Sequence, residues 1–99
     1  MDCLVREPEG SARLAAAVRA YFPGEADAVL ARCRAVPGDI CEPGLGGYDG
    51  PARTVLHCAA ITDHVGYARD FDRVNVQGTA AVIAWCRARG AQLLHVSTI

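Results

Sequence analysis

The residues of this chain whose types could do chemistry gather at the ends of short apolar runs. Ser97 and Thr98 follow Leu93-Leu94-His95-Val96, and the small pair Ala59-Ala60 follows Val55-Leu56-His57-Cys58. Between the two runs lies a long helical pattern, so together they read as a parallel βαβ unit. Such a unit places its ligand chemistry at the carboxyl ends of its strands. The hydroxyls of Ser97 and Thr98 stand there, and Ala59 and Ala60 leave the backbone open to close approach. A metal set is not expected, because His57 and His64 have no third or fourth ligand at suitable spacing. The cysteines are Cys3, Cys33, Cys41, Cys58 and Cys86, an odd and irregular set without a C-x-x-C pair. That pattern predicts free thiols in a reducing compartment rather than a disulfide framework.

The elements that must position these residues can be taken in order. Residues 2–6 predict a short strand, Cys-Leu-Val framed by charge, and Glu7-Pro8-Glu9-Gly10 predicts a turn. Ser11 is a good N-cap for a helix through Leu14, Ala17, Val18, Tyr21 and Phe22, whose three- and four-residue steps make one apolar face. Pro23-Gly24 ends it. A second short helix is expected over residues 25–33, and Arg34-Ala35-Val36-Pro37 predicts a strand ending at Gly38-Asp39-Ile40. Residues 41–51 hold four Gly and two Pro and predict an exposed loop. The unit of interest follows: a strand over 54–58, a helix over about 67–89 stopped by Gly90, and a strand over 92–96. Phe71, Val74, Gly78, Val82 and Trp85 form the apolar stripe of that helix, with Ala81 beside it. Alternation of strands and helices predicts an α/β fold with a parallel sheet covered on both faces.

Bulk properties narrow the function classes. The chain has 99 residues, 52% of them hydrophobic, so one domain spanning 1–99 with a usable core is expected. The net charge is −1, which gives no basic field for nucleic acid or an anionic membrane. All ten basic residues are Arg. No apolar stretch approaches the roughly 18 residues needed to span a bilayer. The segment Met1–Gly10 lacks the basic and apolar regions of a signal peptide, so a cytoplasmic location is expected.

One ordered series of short motifs carries more than any of them alone: Cys3-Leu4-Val5-Arg6, Arg13-Leu14, Gly38-Asp39-Ile40, His57-Cys58-Ala59-Ala60, Asn75-Val76-Gln77-Gly78-Thr79 and His95-Val96-Ser97-Thr98-Ile99. The series resembles the thioester reductase domains of the extended short-chain dehydrogenase/reductase superfamily. These include the terminal reductases of nonribosomal peptide synthetases and carboxylic acid reductases, and they are akin to male-sterility-type fatty acyl-CoA reductases. The resemblance implies a Rossmann-like nucleotide-binding domain and NADPH-dependent reduction of a carrier-bound acyl or peptidyl thioester to aldehyde or alcohol. The implied partner is an acyl or peptidyl carrier protein bearing a phosphopantetheine thioester.

The resemblance also implies roles for single residues. Arg6 closes the first strand where an acidic residue would hold a ribose 2′-hydroxyl; an Arg there accommodates a 2′-phosphate, which favours NADPH over NADH. Asp39 would lie beside the adenine and accept from its exocyclic amine, with Ile40 packing nearby. Ala59 and Ala60 would let the backbone approach the cofactor ribose. Asn75 would hold the active-site architecture, and Gly78 would let its helix approach the sheet. Thr98 would be the catalytic hydroxyl, donating to the substrate carbonyl oxygen as negative charge develops there. Plainer readings stand beside these: a solvated strand-end Arg6, a turn Asp39, tight packing at Ala59-Ala60 and an exposed Asn75.

Two parts of the family pattern have no counterpart in the sequence. No G-x-x-G-x-x-G turn follows the first strand, where it would bring a pyrophosphate to a helix N-terminus; the one such spacing, Gly44, Gly47 and Gly50, lies within residues 41–51. The chain contains no Lys, so no Tyr-x-x-x-Lys pair exists to donate a proton and bind ribose. With the family's strand order 3-2-1-4-5, the central strand is the missing one. The expectation is a partial Rossmann-like parallel sheet with flanking helices, its first strand and C-terminal part missing, and a fragment inactive by itself. Two alternatives remain. One is another extended dehydrogenase/reductase of the nucleotide-sugar epimerase/dehydratase or steroid type. The other is a degenerate, non-catalytic nucleotide-binding or interaction module.

Overall fold

A computed structural model describes residues 1–63 and 65–97. It is an α/β structure with small parallel sheets, in two compact units, residues 1–39 and 40–99. The unit boundary falls between Asp39 and Ile40.

In the first unit, β1 (Asp2–Val5) pairs in parallel with β2 (Arg34–Pro37), with Asp2 opposite Arg34 and Val5 opposite Pro37. The Arg34 guanidinium forks onto the Asp2 carboxylate at 2.9 and 2.8 Å, which marks the register on the surface. Helix α1 (Gly10–Tyr21) and the short α2 (Ala26–Leu30) form the crossover. Helix α1 starts at Gly10 rather than after Ser11. Its cap is Glu9, in a left-handed conformation and without a side-chain bond. The physical cause is packing: a Cβ on Gly10 would lie 2.5 Å from Val5 Cγ2, so only Gly lets the helix begin this close to β1. The apolar face is narrower than its spacing predicts. Val18 is buried and Leu14 half-buried, but Tyr21 is 81% exposed.

In the second unit, β3 (Thr54–His57) pairs in parallel with β4 (Gln92–His95), and His57 stands opposite His95. Each sheet has two strands. The long helix spans 68–89 in three consecutive segments: α3 (Ala68–Phe71), a π-helical stretch Asp72–Gly78, and α4 (Thr79–Arg89). Right-handed helical angles persist at both joins, so the rod is unbroken. The π stretch was not foreseen from the spacing. Its wider turn aligns residues five apart, and Gln77 Nε2 accordingly donates to Asp72 Oδ2. Gly90 ends the rod at φ 66°, where its amide and that of Ala91 cap the last turn.

The expected stripe forms the core: Gly78, Val82 and Trp85 are buried, Phe71 and Val74 half-buried, and Cys86 joins them. The segment 41–51 is more than a surface loop. Leu45 is buried despite a positive φ of 59°, and Tyr48 stacks on Trp85 with ring centroids 5.6 Å apart. Trp85 Nε1–H donates to Tyr48 O at 3.1 Å, and the Arg89 guanidinium covers the Trp85 ring at 4.1 Å. The sheet is covered on one face only. Side chains alternate along each strand: His57 is buried, whereas Leu56 and Leu94 are 64% and 50% exposed.

Candidate functional site

The carboxyl end of β1 carries the first candidate group. Arg6 follows the strand and is exposed. The Arg13 guanidinium, reaching back from α1, donates to the Arg6 carbonyl. Two guanidinium-bearing residues thus share one strand end, and a guanidinium fork matches phosphate geometry. Sequence reasoning named Arg6 and passed over Arg13 as a site residue; its place in the Arg13-Leu14 motif was the available signal. The Gly38 amide donates to Val5 O at 3.0 Å, so the end of β2 is tied to the end of β1. Asp39 follows Gly38 and is half-buried.

The second group surrounds the ends of β3 and β4. The Val96 amide donates to His57 O at 3.0 Å, which brings the two strand ends side by side. Cys58, Ala59 and Ala60 continue from β3 and are exposed. Ser97 continues from β4 and is exposed. Thr98, the expected catalytic hydroxyl, lies outside the described residues.

Asn75 sits in the π stretch and reaches across to the chain that follows Ala60. Its Oδ1 accepts from the Ile61 amide at 2.8 Å, and its Nδ2 donates to Ile61 O at 3.1 Å. Both ends of the carboxamide are therefore engaged by backbone. Asn75 positions the strand-end segment through these two bonds. Ile40 lies against the same helix. A Cβ on Gly78 would stand 2.6 Å from Ile40 Cδ1 and 2.9 Å from its Cγ1, so Gly78 provides the hollow that Ile40 fills. Next to it, the Cys41 thiol points to Arg73 O at 3.8 Å. The glycine expected to bring the helix close to the sheet instead admits a side chain from residue 40.

His57 is the functional-region residue that sequence reasoning left without a role. It is buried, its Nε2 lies 3.0 Å from Thr79 Oγ1, and burial, then His95, lowers its pKa from the ordinary value of 6.5. The thiols of Cys3 and Cys86 have raised pKa values. Burial is the first cause in both, followed for Cys3 by neighbouring Cys33. Both are poor nucleophiles at neutral pH. Among the described residues there is no cluster of three or more His, Cys, Asp or Glu side chains able to hold a metal ion. No helix among them is long and apolar enough to cross a membrane.

Each unit separately carries groups that suit part of a nicotinamide nucleotide. Exposed guanidinium chemistry at β1 suits a phosphate, and exposed alanines after β3 suit close approach by a sugar. No glycine-rich turn for a pyrophosphate follows β1. Compared with known proteins, the chain matches a family model for an NAD-binding domain, described as male sterility protein, over residues 2–99. No curated protein and no solved structure shows significant similarity to it. Because the model spans nearly the whole sequence, the chain belongs to the male sterility protein family of NAD-binding domains.

Proposed function

We propose that this chain is the cofactor-binding part of an NADPH-dependent thioester reductase, with its strands placed as in a Rossmann-like domain. The observation that carries the reading is the presence of Arg6 and Arg13 at one strand end, where a 2′-phosphate would be held. In this reading Arg6 and Arg13 hold that phosphate and Asp39 accepts from the adenine amine, with Ile40 beside it. Ala59 and Ala60 leave room for the ribose. Asn75 fixes the segment after them through Ile61. Thr98 donates a hydrogen bond to the substrate carbonyl oxygen. NADPH, when bound, supplies the hydride. The substrate is an acyl or peptidyl thioester on the phosphopantetheine arm of a carrier protein, and the setting is the cytoplasm.

A chain without Lys has no Tyr-x-x-x-Lys pair to protonate the product oxygen. Cofactor binding without turnover is therefore expected of this chain by itself. The test is to mix it with NADPH and an acyl-phosphopantetheine thioester, following cofactor binding by calorimetry and cofactor oxidation by absorbance. Binding with no oxidation supports the reading. Oxidation that depends on the thioester would overturn the inactivity, and absence of binding would favour a non-catalytic module.

A further inference from the structure

The ends of β3 and β4 are joined by two imidazoles for which the cofactor reading has no use. His57 closes β3 and faces its in-register partner His95. Their rings stack with centroids 5.1 Å apart and 27° between planes. His57 is 4% exposed, while His95 is open to solvent. On its other side His57 Nε2 lies 3.0 Å from Thr79 Oγ1, the first residue of α4. One buried ring thus touches the end of β3, the end of β4 and the start of α4.

We propose that His57 and His95 form a proton-operated latch, which holds the ends of β3 and β4 against α4 at neutral pH and opens on mild acidification.

The argument rests on what each protonation state can satisfy. A neutral imidazole can share a hydrogen with the Thr79 hydroxyl and bury its ring against the helix. An imidazolium at the same place is a charge taken out of water, which is costly without a partner of opposite sign. No such partner acts on His57 among the described residues. From β4 the facing titratable group is His95, whose charge would be of like sign. From α4 the facing group is the uncharged Thr79 hydroxyl, and β3 itself continues into the Cys58 thiol. Burial and His95 both lower the pKa of His57 in the folded chain. The opened chain therefore takes up the proton first. The stabilisation is complete above the ordinary value of 6.5 and is lost as the pH falls below it towards the folded value. Opening at His57 reaches the candidate site directly, because residues 58–61 follow in sequence and the Val96 amide bonds to His57 O. The inference does not depend on which nucleotide the site takes.

The test uses the full chain, followed from about pH 7.5 to about pH 5. Imidazole nitrogen spectra report the charge on each ring, and amide hydrogen exchange reports protection. The expected result is that His57 takes up its proton only as the strand ends open. In the same interval, amides of 57–61 and of the first turn of α4 lose protection. His57→Gln, a neutral amide, is expected to keep that protection constant across the range. Should His57→Gln fail to fold, His95→Gln serves: with the like charge gone, the acid loss becomes smaller than in the wild type. The proposal is overturned if His57 becomes charged while protection is kept, if wild-type protection is flat, or if His95→Gln loses as much protection as the wild type.

Discussion

The carboxamide of Asn75 engages both backbone groups of Ile61, accepting from its amide at 2.8 Å and donating to its carbonyl at 3.1 Å. A mid-helix Asn, poor as a helix former, thus does for residue 61 what a neighbouring strand would do. It fixes the chain just beyond Ala59 and Ala60, and it does so from inside the π-helical stretch.

Asn75→Ala removes both bonds and leaves two backbone groups of Ile61 unpartnered in a half-buried place. We expect a loss of about 1–3 kcal/mol in chemical denaturation. The Ile61 amide should exchange much faster than in the wild type. Asn75→Asp keeps the acceptor but sets a carboxylate against the Ile61 carbonyl, so it should not restore stability. An Ile61 amide as protected in Asn75→Ala as in the wild type would contradict the assigned role.

Gly78→Ala sets two effects against each other. Ala is better in a helix by about 1 kcal/mol. Its Cβ, however, would lie 2.6 Å from Ile40 Cδ1, and overpacking of this kind costs about 1–3 kcal/mol. Net destabilisation is expected, with Ile40 displaced from the helix. In the double variant Gly78→Ala/Ile40→Ala the clash is gone, so the Gly78→Ala step should become neutral or stabilising. A double-mutant cycle measures the difference; simple additivity would show that the two residues do not meet.

The thiols give a footprint of the strand ends. Cys58 is exposed beside Ala59, whereas Cys86 is buried and burial raises its pKa. Alkylation followed by mass mapping should modify Cys58 early and Cys86 last. Saturating NADPH should slow modification of Cys58 and leave that of Cys86 unchanged. Equal Cys58 rates with and without NADPH would place the nucleotide away from the end of β3.

Much of the fold is legible in the sequence because it rests on periodicity. The strands at Arg34–Pro37 and Gln92–His95, the stripe through Gly78, Val82 and Trp85, and the stop at Gly90 all follow from spacing and from glycine chemistry. What escapes is set by partners distant in sequence. The start of α1 depends on how closely Gly10 approaches Val5, not on the capping power of Ser11. The glycine-rich segment 41–51 reads as loop by composition, yet the Trp85 indole and ring hold Tyr48 down. The same holds at the candidate site. Arg6 and the alanine pair can be named from motif order, but the reach of Arg13 to the Arg6 carbonyl and the burial of His57 appear only in three dimensions.

The most direct test of the cofactor reading is calorimetric titration of NADPH and NADH into the wild-type chain and its Arg6→Ala variant. Loss of a charge-assisted contact to the 2′-phosphate is worth about 1.5–3 kcal/mol, or roughly ten- to hundredfold in affinity. The wild type should prefer NADPH. In Arg6→Ala the NADPH affinity should fall by that factor, while NADH affinity stays constant. Equal NADPH affinity in the two proteins would contradict the account and remove Arg6 from the site.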